Sequence, residues 1–273
     1  MSASKRPGRK AYLLISLFAL LLVLFPFLFW YYTWFGRPLD DASLDRYFAD
    51  TSKPRHAQHA LVQLGERLSR GKPVDRWYPE VIREASSTSV ELRQTAAWIM
   101  GQVPGYTPFH EVLLRLIHDP EAMVRRNAAL SLAAFGDAQA RPELAAMLRP
   151  YTITAPVAGE VHYRLKLGDF LNPGTMIAHI GTTEVRSPVP GEVRTIEQKE
   201  SAAVKPGDAL ADVAPDKNHV WEALRALYLV GEAADLEIVE RFTRPMNGMP
   251  DTVVRQAMAT AEKLRVKQDR SRQ

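Results

Sequence analysis

An internal duplication between residues 150 and 215 is the strongest constraint on the fold. The motif APVAGEV at 155–161 recurs as SPVPGEV at 187–193, and LNPG at 171–174 recurs as VKPG at 204–207. Short β-rich runs bounded by Pro-x-x-Gly and Gly-Asp turns fill this block. One half alone would expose an apolar face and unpaired strand edges. The duplication therefore predicts a small all-β domain with internal twofold pseudosymmetry.

Helical periodicity marks the segments on both sides of this block. Apolar residues recur three and four positions apart in HALVQLGERL at 59–68 and in FHEVLLRLIHD at 109–119. The sequence LRQTAA at 92–97 recurs 32 residues later as VRRNAA at 124–129, and VRQAM at 254–258 is a further match. A period near 30 to 35 residues with two helices per unit is typical of an α-solenoid.

The β block is predicted to interrupt the solenoid. Ala128 and Ala223 hold equivalent places in two helical units, and removing the block leaves them about one repeat apart. We therefore expect helical repeats over 39–149, a β domain over 150–215 and resumed helices over 216–266. Insertion at a loop is tolerated when the ends of the inserted domain lie close together.

Both parts resemble known families. The helical segments resemble HEAT repeats of the short kind found in the phycobilin-lyase-like group. SPVPGEV and the later KPGDALADV resemble the biotinyl/lipoyl barrel-sandwich fold, which occurs in carboxyl and acyl carriers and in the periplasmic adaptor (membrane-fusion) proteins of efflux pumps. The resemblances imply a multidomain α plus β chain, a HEAT-like α-solenoid with an inserted small all-β barrel-sandwich hybrid.

The carrier function that this resemblance implies requires a lysine at the hairpin between the two halves. Here the connection at 180–186 reads IGTTEVR and has no lysine, while Lys166, Lys199 and Lys205 lie within the halves. We therefore expect no covalently attached biotin or lipoate. The long coiled-coil hairpin that adaptor proteins insert at this point is also missing, which argues against a direct efflux-adaptor role.

An uncharged apolar run at 11–35 precedes the helical repeats. About 20 apolar residues suffice to cross a bilayer as a helix, so we predict a transmembrane helix. The basic tail at 1–10 predicts a cytoplasmic N-terminus. A cleaved signal peptide is the competing interpretation, but the run is too long and no small-x-small cleavage site follows it. The expected location is the inner (plasma) membrane of a bacterium, with the bulk periplasmic or extracellular.

Composition restricts the chemistry. The chain has no cysteine, which excludes disulfides, thiolate catalysis and cysteine zinc sites. Its net charge of +4 is concentrated at the ends, including a basic tail at 267–273, and no basic stripe with interleaved aromatics indicates nucleic-acid binding. Nucleophile-elbow, Walker A and H-E-x-x-H motifs are absent. We expect no enzyme activity, cofactor, metal or small-molecule substrate.

Three arginines are the candidate partner-binding residues. Arg93, Arg125 and Arg255 recur at one position of the helical repeat. One interpretation is a basic ladder that binds an acidic protein. The other, which we favour, is structural pairing with acids of neighbouring turns such as Asp119.

The sequence thus predicts a membrane-anchored scaffold or adaptor. It would bind envelope proteins through the helical-repeat surface and an unmodified lipoyl-like module. An accessory subunit of an efflux or secretion system is one alternative. An enzyme subunit is the other, and it would need a clustered set of acid, base or metal groups that the sequence does not display.

Overall fold

The computed structural model describes residues 9–30, 38–246 and 248–271, and the chain separates into two compact units, 1–49 and 50–273. The smaller unit contains α1 (Arg9–Trp30) and α2 (Asp41–Ala49). The larger unit contains all the remaining helices and both β-sheets.

Helix α1 covers most of the apolar run, and residues 31–35 lie outside the described part of the chain. Its large apolar side chains between Leu13 and Phe29 are 39–72% exposed. Within the described residues, no helix has the combination of length and apolarity that crossing a membrane requires. The transmembrane helix predicted at 11–35 is therefore not supported by the described residues. The basic residues Lys5 and Arg6 lie outside the described residues.

The larger unit begins as stacked helix pairs. Its helices are α3 (Pro54–Ser69), α4 (Tyr78–Glu84), α5 (Val90–Met100), α6 (Thr107–Leu116), α7 (Ala122–Ala134), α8 (Arg141–Met147), α9 (Lys217–Val230), α10 (Leu236–Glu240) and α11 (Asp251–Ser271). The odd-numbered helices form one row, in which α3 packs on α5, α5 on α7, α7 on α9 and α9 on α11. The even-numbered helices α4, α6, α8 and α10 each pack against the odd-numbered helix that follows. Each pair contacts mainly its neighbours, as in an α-solenoid. The last helix continues to Ser271, through residues predicted as a tail.

Small residues allow the helices of the row to approach closely. A Cβ on Gly101, the residue after α5, would overlap Ser131 of α7, and the Ser131 hydroxyl donates to the Ala97 carbonyl oxygen at 2.7 Å. Two steps further along the row, the Thr260 hydroxyl of α11 donates to the Leu224 carbonyl oxygen of α9 at 2.9 Å. These contacts satisfy buried hydroxyls and fix the relative positions of neighbouring helices.

Eight strands follow α8. They are β1 (Tyr151–Thr154), β2 (Gly159–Tyr163), β3 (Phe170–Leu171), β4 (Met176–Ile180), β5 (Thr183–Arg186), β6 (Gly191–Ile196), β7 (Ala203–Val204) and β8 (Ala209–Val213). They form two four-stranded sheets of order β1-β8-β6-β3 and β5-β4-β2-β7, and every pairing is antiparallel. If each strand of the first half (β1 to β4) is exchanged with its counterpart in the second half (β5 to β8), the order of one sheet becomes the order of the other. Each sheet therefore combines strands of both halves, and neither half can form its sheet alone.

The backbone hydrogen bonds repeat with the same symmetry. Gly207 N donates to Ala155 O at 2.8 Å, and Gly174 N donates to Ser187 O at 2.8 Å. Buried apolar side chains from both halves fill the space between the sheets: Val161, Ile177, Val193 and Leu210. Burial of this shared core stabilises the β module, which we define as residues 151–213.

The β module lies between α8 and α9 in sequence without separating the helices. Helix α9 packs on both α7 and α8. Arg141 at the start of α8 donates to Asp235, just before α10, at 2.7 Å. Asp216 caps α9 by accepting from Asn218 N at 3.0 Å, which starts the helix directly after the module. The solenoid therefore continues across the insertion.

We expect Gly191→Ala to destabilise the β module. Gly191 has a φ of +153°, and an added Cβ would overlap the Ala214 carbonyl oxygen. Both effects disfavour the folded state, by about 2 kcal/mol or more. Thermal unfolding followed by circular dichroism measures the loss. Gly105→Ala is the matched control, because its Cβ would meet open space. Equal midpoints for the two variants would contradict the structural role of Gly191.

Candidate functional site

The first of the candidate arginines is held in an intramolecular network. Arg93 Nε donates to Asp119 Oδ2 at 2.7 Å and its Nη2 donates to Asp119 Oδ1 at 3.0 Å. Its Nη1 donates to the Ser87 carbonyl oxygen at 2.9 Å. The two side chains are only 13% and 7% exposed. A bidentate pair with this burial fixes the turn before α7 to helix α5.

Arg125 repeats part of this arrangement one unit later. Its Nη1 donates to the carbonyl oxygens of Asp119 and Pro120 at 2.8 and 2.9 Å, 32 residues beyond the equivalent acceptors of Arg93. Its Nε donates to Glu143 Oε2 at 3.2 Å. Arg255 is exposed on α11 and has no hydrogen bond or ion pair to another described residue. A partner-binding role for the three arginines stays a prediction, but the donors of Arg93 and Arg125 are already engaged within the chain.

The surface of the odd-numbered row contains a groove of about 530 Å³. We call it the row groove, and it lies over α7 between α5 and α9, with one end against α11. Its floor is Leu130, Ser131 and Ala134 of α7 together with Gly101. These floor side chains are mostly small, so the surface is lower over α7 than over its neighbours.

Trp98 of α5 forms one wall of the row groove and is 48% exposed. Gly65 of α3 makes room for it, because a Cβ at that position would overlap the indole ring. The ring therefore packs against α3 on one side and borders the row groove on the other. An aromatic side chain held in this way offers a large apolar contact at low entropic cost.

Helix α9 forms the opposite wall with Tyr228 and Leu229, which are 41% and 56% exposed. The Lys263 ammonium of α11 lies 4.3 Å from the centre of the Tyr228 ring and donates to the Tyr228 carbonyl oxygen. The Arg225 guanidinium lies 4.6 Å from the centre of the Trp221 ring. Cation–π contacts of this kind position both side chains.

Two hydrogen-bond donors in the row groove lack acceptors. The Gln102 amide nitrogen Nε2 is buried without a partner. Arg225 has no hydrogen bond or ion pair with any other residue that the structure describes. A buried donor without an acceptor costs about 1–3 kcal/mol, so Gln102 favours an occupant that supplies an acceptor. Arg225 is exposed to solvent, and its positive charge favours an acidic group.

The described residues contain no group of three or more His, Asp or Glu side chains arranged to hold a metal ion. The histidines make local contacts instead. His110 Nε2 lies 2.7 Å from Asp137 Oδ2, and His162 Nδ1 lies 3.0 Å from Glu200 Oε1. The first contact connects α6 to the turn before α8, and the second lies on the exposed surface of the β module.

Arg126 is a further charged group that the sequence did not single out. It lies on α7, is 4% exposed, and its Nε is buried without a hydrogen-bond partner. Burial lowers its pKa, and the nearby Glu143, Tyr151 and Asp216 act in the opposite direction. Tyr151 is the first residue of the β module and Asp216 follows its end, so Arg126 lies where the chain leaves the solenoid and returns to it.

A family model described as HEAT repeats matches residues 78–153. The match covers α4 to α8 and reaches β1. None of the curated proteins matches the chain significantly. The helical region is thus similar to HEAT repeats, which are protein-interaction modules, and the row groove includes residues of this stretch.

We expect Arg93→Ala to lower the free energy of unfolding by about 2–4 kcal/mol, because Asp119 would stay buried without its partner. Burial alone raises the pKa of Asp119, but hydrogen bonds from Arg93 and from the Glu121 amide outweigh this effect and hold the pKa below its ordinary value. The pair therefore stabilises the fold above about pH 4 and loses this effect as the pH falls through the lowered pKa.

Urea denaturation between pH 2.5 and 7 checks this expectation. The variant should lose stability at neutral pH and show a weaker acid dependence than the parent. Arg70→Ala is the control, because the Arg70–Glu66 pair is 61% and 48% exposed and its loss should change little. Parallel pH curves for Arg93→Ala and the parent would refute the assignment.

Proposed function

We propose that this protein is a non-enzymatic scaffold that binds a partner protein in the row groove. The observation that carries the proposal is the combination of exposed apolar walls with donors that lack acceptors. Trp98 and Leu229 face open space across a floor of small residues. Exposed aromatic and aliphatic side chains beside a few polar groups are typical of binding hot spots. Similarity to HEAT repeats supports the same conclusion.

We propose that the β module is an unmodified relative of the biotinyl/lipoyl barrel-sandwich fold. Two sheets built from both halves of a duplicated sequence support this proposal. The turn between β4 and β5 consists of Gly181 and Thr182, with no lysine to carry a swinging arm. Intact-mass measurement of the purified protein should therefore give the mass of the unmodified chain.

We also propose that α1 attaches the protein to a membrane. Its exposed apolar side chains support this, since an apolar surface of that extent is stabilised by burial in lipid. The predicted location in the inner (plasma) membrane, with a cytoplasmic N-terminus and a periplasmic or extracellular bulk, stays a prediction.

An accessory subunit of an efflux or secretion system is the second candidate, and an asymmetry of the β module favours it. Leu167 and Phe170 are 63% and 57% exposed. Their equivalents in the second half, 33 residues later, are Glu200 and Ala203. Because the second half forms the same fold without large apolar residues at these positions, the pair supports an additional contact with another subunit.

We expect a photo-reactive amino acid at position 229 to crosslink a partner protein in the native cell. The same label at position 237 on α10, where the Glu237 side chain is 87% exposed, should not crosslink this protein. Leu130→Arg should abolish the product at 229, because a charge would lie in the apolar floor. Unchanged crosslinking in Leu130→Arg, in a variant shown to be folded by circular dichroism, would contradict the proposal.

Membrane attachment is tested by cell fractionation of the full chain and of a variant without residues 9–30. The full chain should sediment with membranes and resist a carbonate wash, and the variant should be released. A reporter fused at the C-terminus distinguishes the two orientations. Sedimentation of both proteins would contradict attachment through α1.

A further inference from the structure

We propose that the row groove binds an amphipathic helix of a partner protein, with a carboxylate of that helix paired to Arg225. This inference rests on the proposed function and specifies the chemistry of the partner. It follows from three properties of the row groove: its dimensions, the absence of open backbone edges and the distribution of charge.

The dimensions of the row groove suit a helix. Packed helices have axes 8–10 Å apart, so α5 and α9 are separated by roughly 16–20 Å across α7. A helix with its side chains is about 10–12 Å wide. It can therefore lie over the small side chains of α7 between Trp98 and Leu229. The volume of about 530 Å³ is suited to a short segment of a partner rather than to a whole domain.

An extended peptide fits less well. Strand addition needs a free sheet edge, which supplies backbone donors and acceptors. The row groove is lined by helices, whose backbone groups are bonded within each helix. A partner segment whose backbone hydrogen bonds are made within the segment itself, as in a helix, is therefore favoured. Its contacts with the row groove must come from side chains.

The charges favour a carboxylate beside the apolar face of this helix. Arg225 stacks on Trp221 and, among the described residues, has no acceptor. Glu222 is the acidic lining residue and precedes Arg225 by about one helical turn. A carboxylate placed at Arg225 would be attracted, whereas one placed at Glu222 would be repelled. On the α5 side, the buried Gln102 donor favours a second acceptor of the same helix.

The test is selection from a displayed library of 18-residue peptides against the full chain in detergent micelles. The library keeps leucine at positions spaced as i, i+4 and i+7 and randomises the rest. Selected peptides should carry Asp or Glu beside the leucine face. In fluorescence polarisation, Arg225→Ala should weaken such a peptide about tenfold. Arg225→Glu should instead select peptides with Lys or Arg at that place.

Gln102→Leu and Glu222→Gln refine the test. Gln102→Leu removes an unsatisfied donor, so it should raise the melting temperature while weakening the peptide. Glu222→Gln should strengthen binding. Gln139→Leu is the control, because Gln139 lies outside the row groove and both properties should stay unchanged.

Three results would overturn the inference: basic peptides selected by the parent, equal binding to Leu130→Arg, or a parent that self-associates through the row groove in analytical ultracentrifugation. If a partner is crosslinked at position 229 but any of these results is obtained, the proposed function stands. The inference that the partner is an acidic amphipathic helix is then wrong. If no partner is crosslinked at position 229 and no peptide is selected, the proposed function is rejected as well.

Discussion

The direct packing of α9 on α7 is the contact on which the larger unit depends. The β module separates these helices in sequence, yet both belong to one row. The Arg141–Asp235 pair at 2.7 Å joins the helices before and after the module. Without this packing the solenoid would end at α8, and the row groove would lose the wall formed by Tyr228 and Leu229. The row groove thus requires the insertion to begin and end at nearly the same place.

The internal symmetry of the β module makes such an insertion tolerable. The chain enters through β1 and leaves through β8, and these strands are paired, with Tyr151 opposite Val213. Paired first and last strands keep the ends of the module close together, so the loop it occupies costs little entropy. Arg126 lies beside this exit and return, with Asp216 near its buried guanidinium. Arg126 would be buried without nearby acids if the β module joined the solenoid differently. The contact therefore favours the observed junction between module and solenoid, although it contributes little net stability.

Repetition in the sequence predicted much of this fold. The duplicated motifs predicted two similar β halves, and the strand orders have the corresponding symmetry. The repeat of LRQTAA predicted stacked helices, which the HEAT match supports. Arg93 pairs with Asp119, the acid named for it in advance. The transmembrane helix is not supported within the described residues, although the composition of the run predicted it.

The row groove could not be predicted because it has no motif. Its members are distant in sequence, and each alone resembles an ordinary helical residue. Trp98 is a wall only because Gly65 lies beneath it on another helix, and Gln102 lacks an acceptor only because of its surroundings. Sequence periodicity identifies which residues face outward, but the depth of a surface depends on side-chain sizes in three neighbouring helices. In this chain the repeats predict the architecture. The departures from the repeat, a tryptophan, a glycine and an arginine without an acceptor, distinguish the row groove.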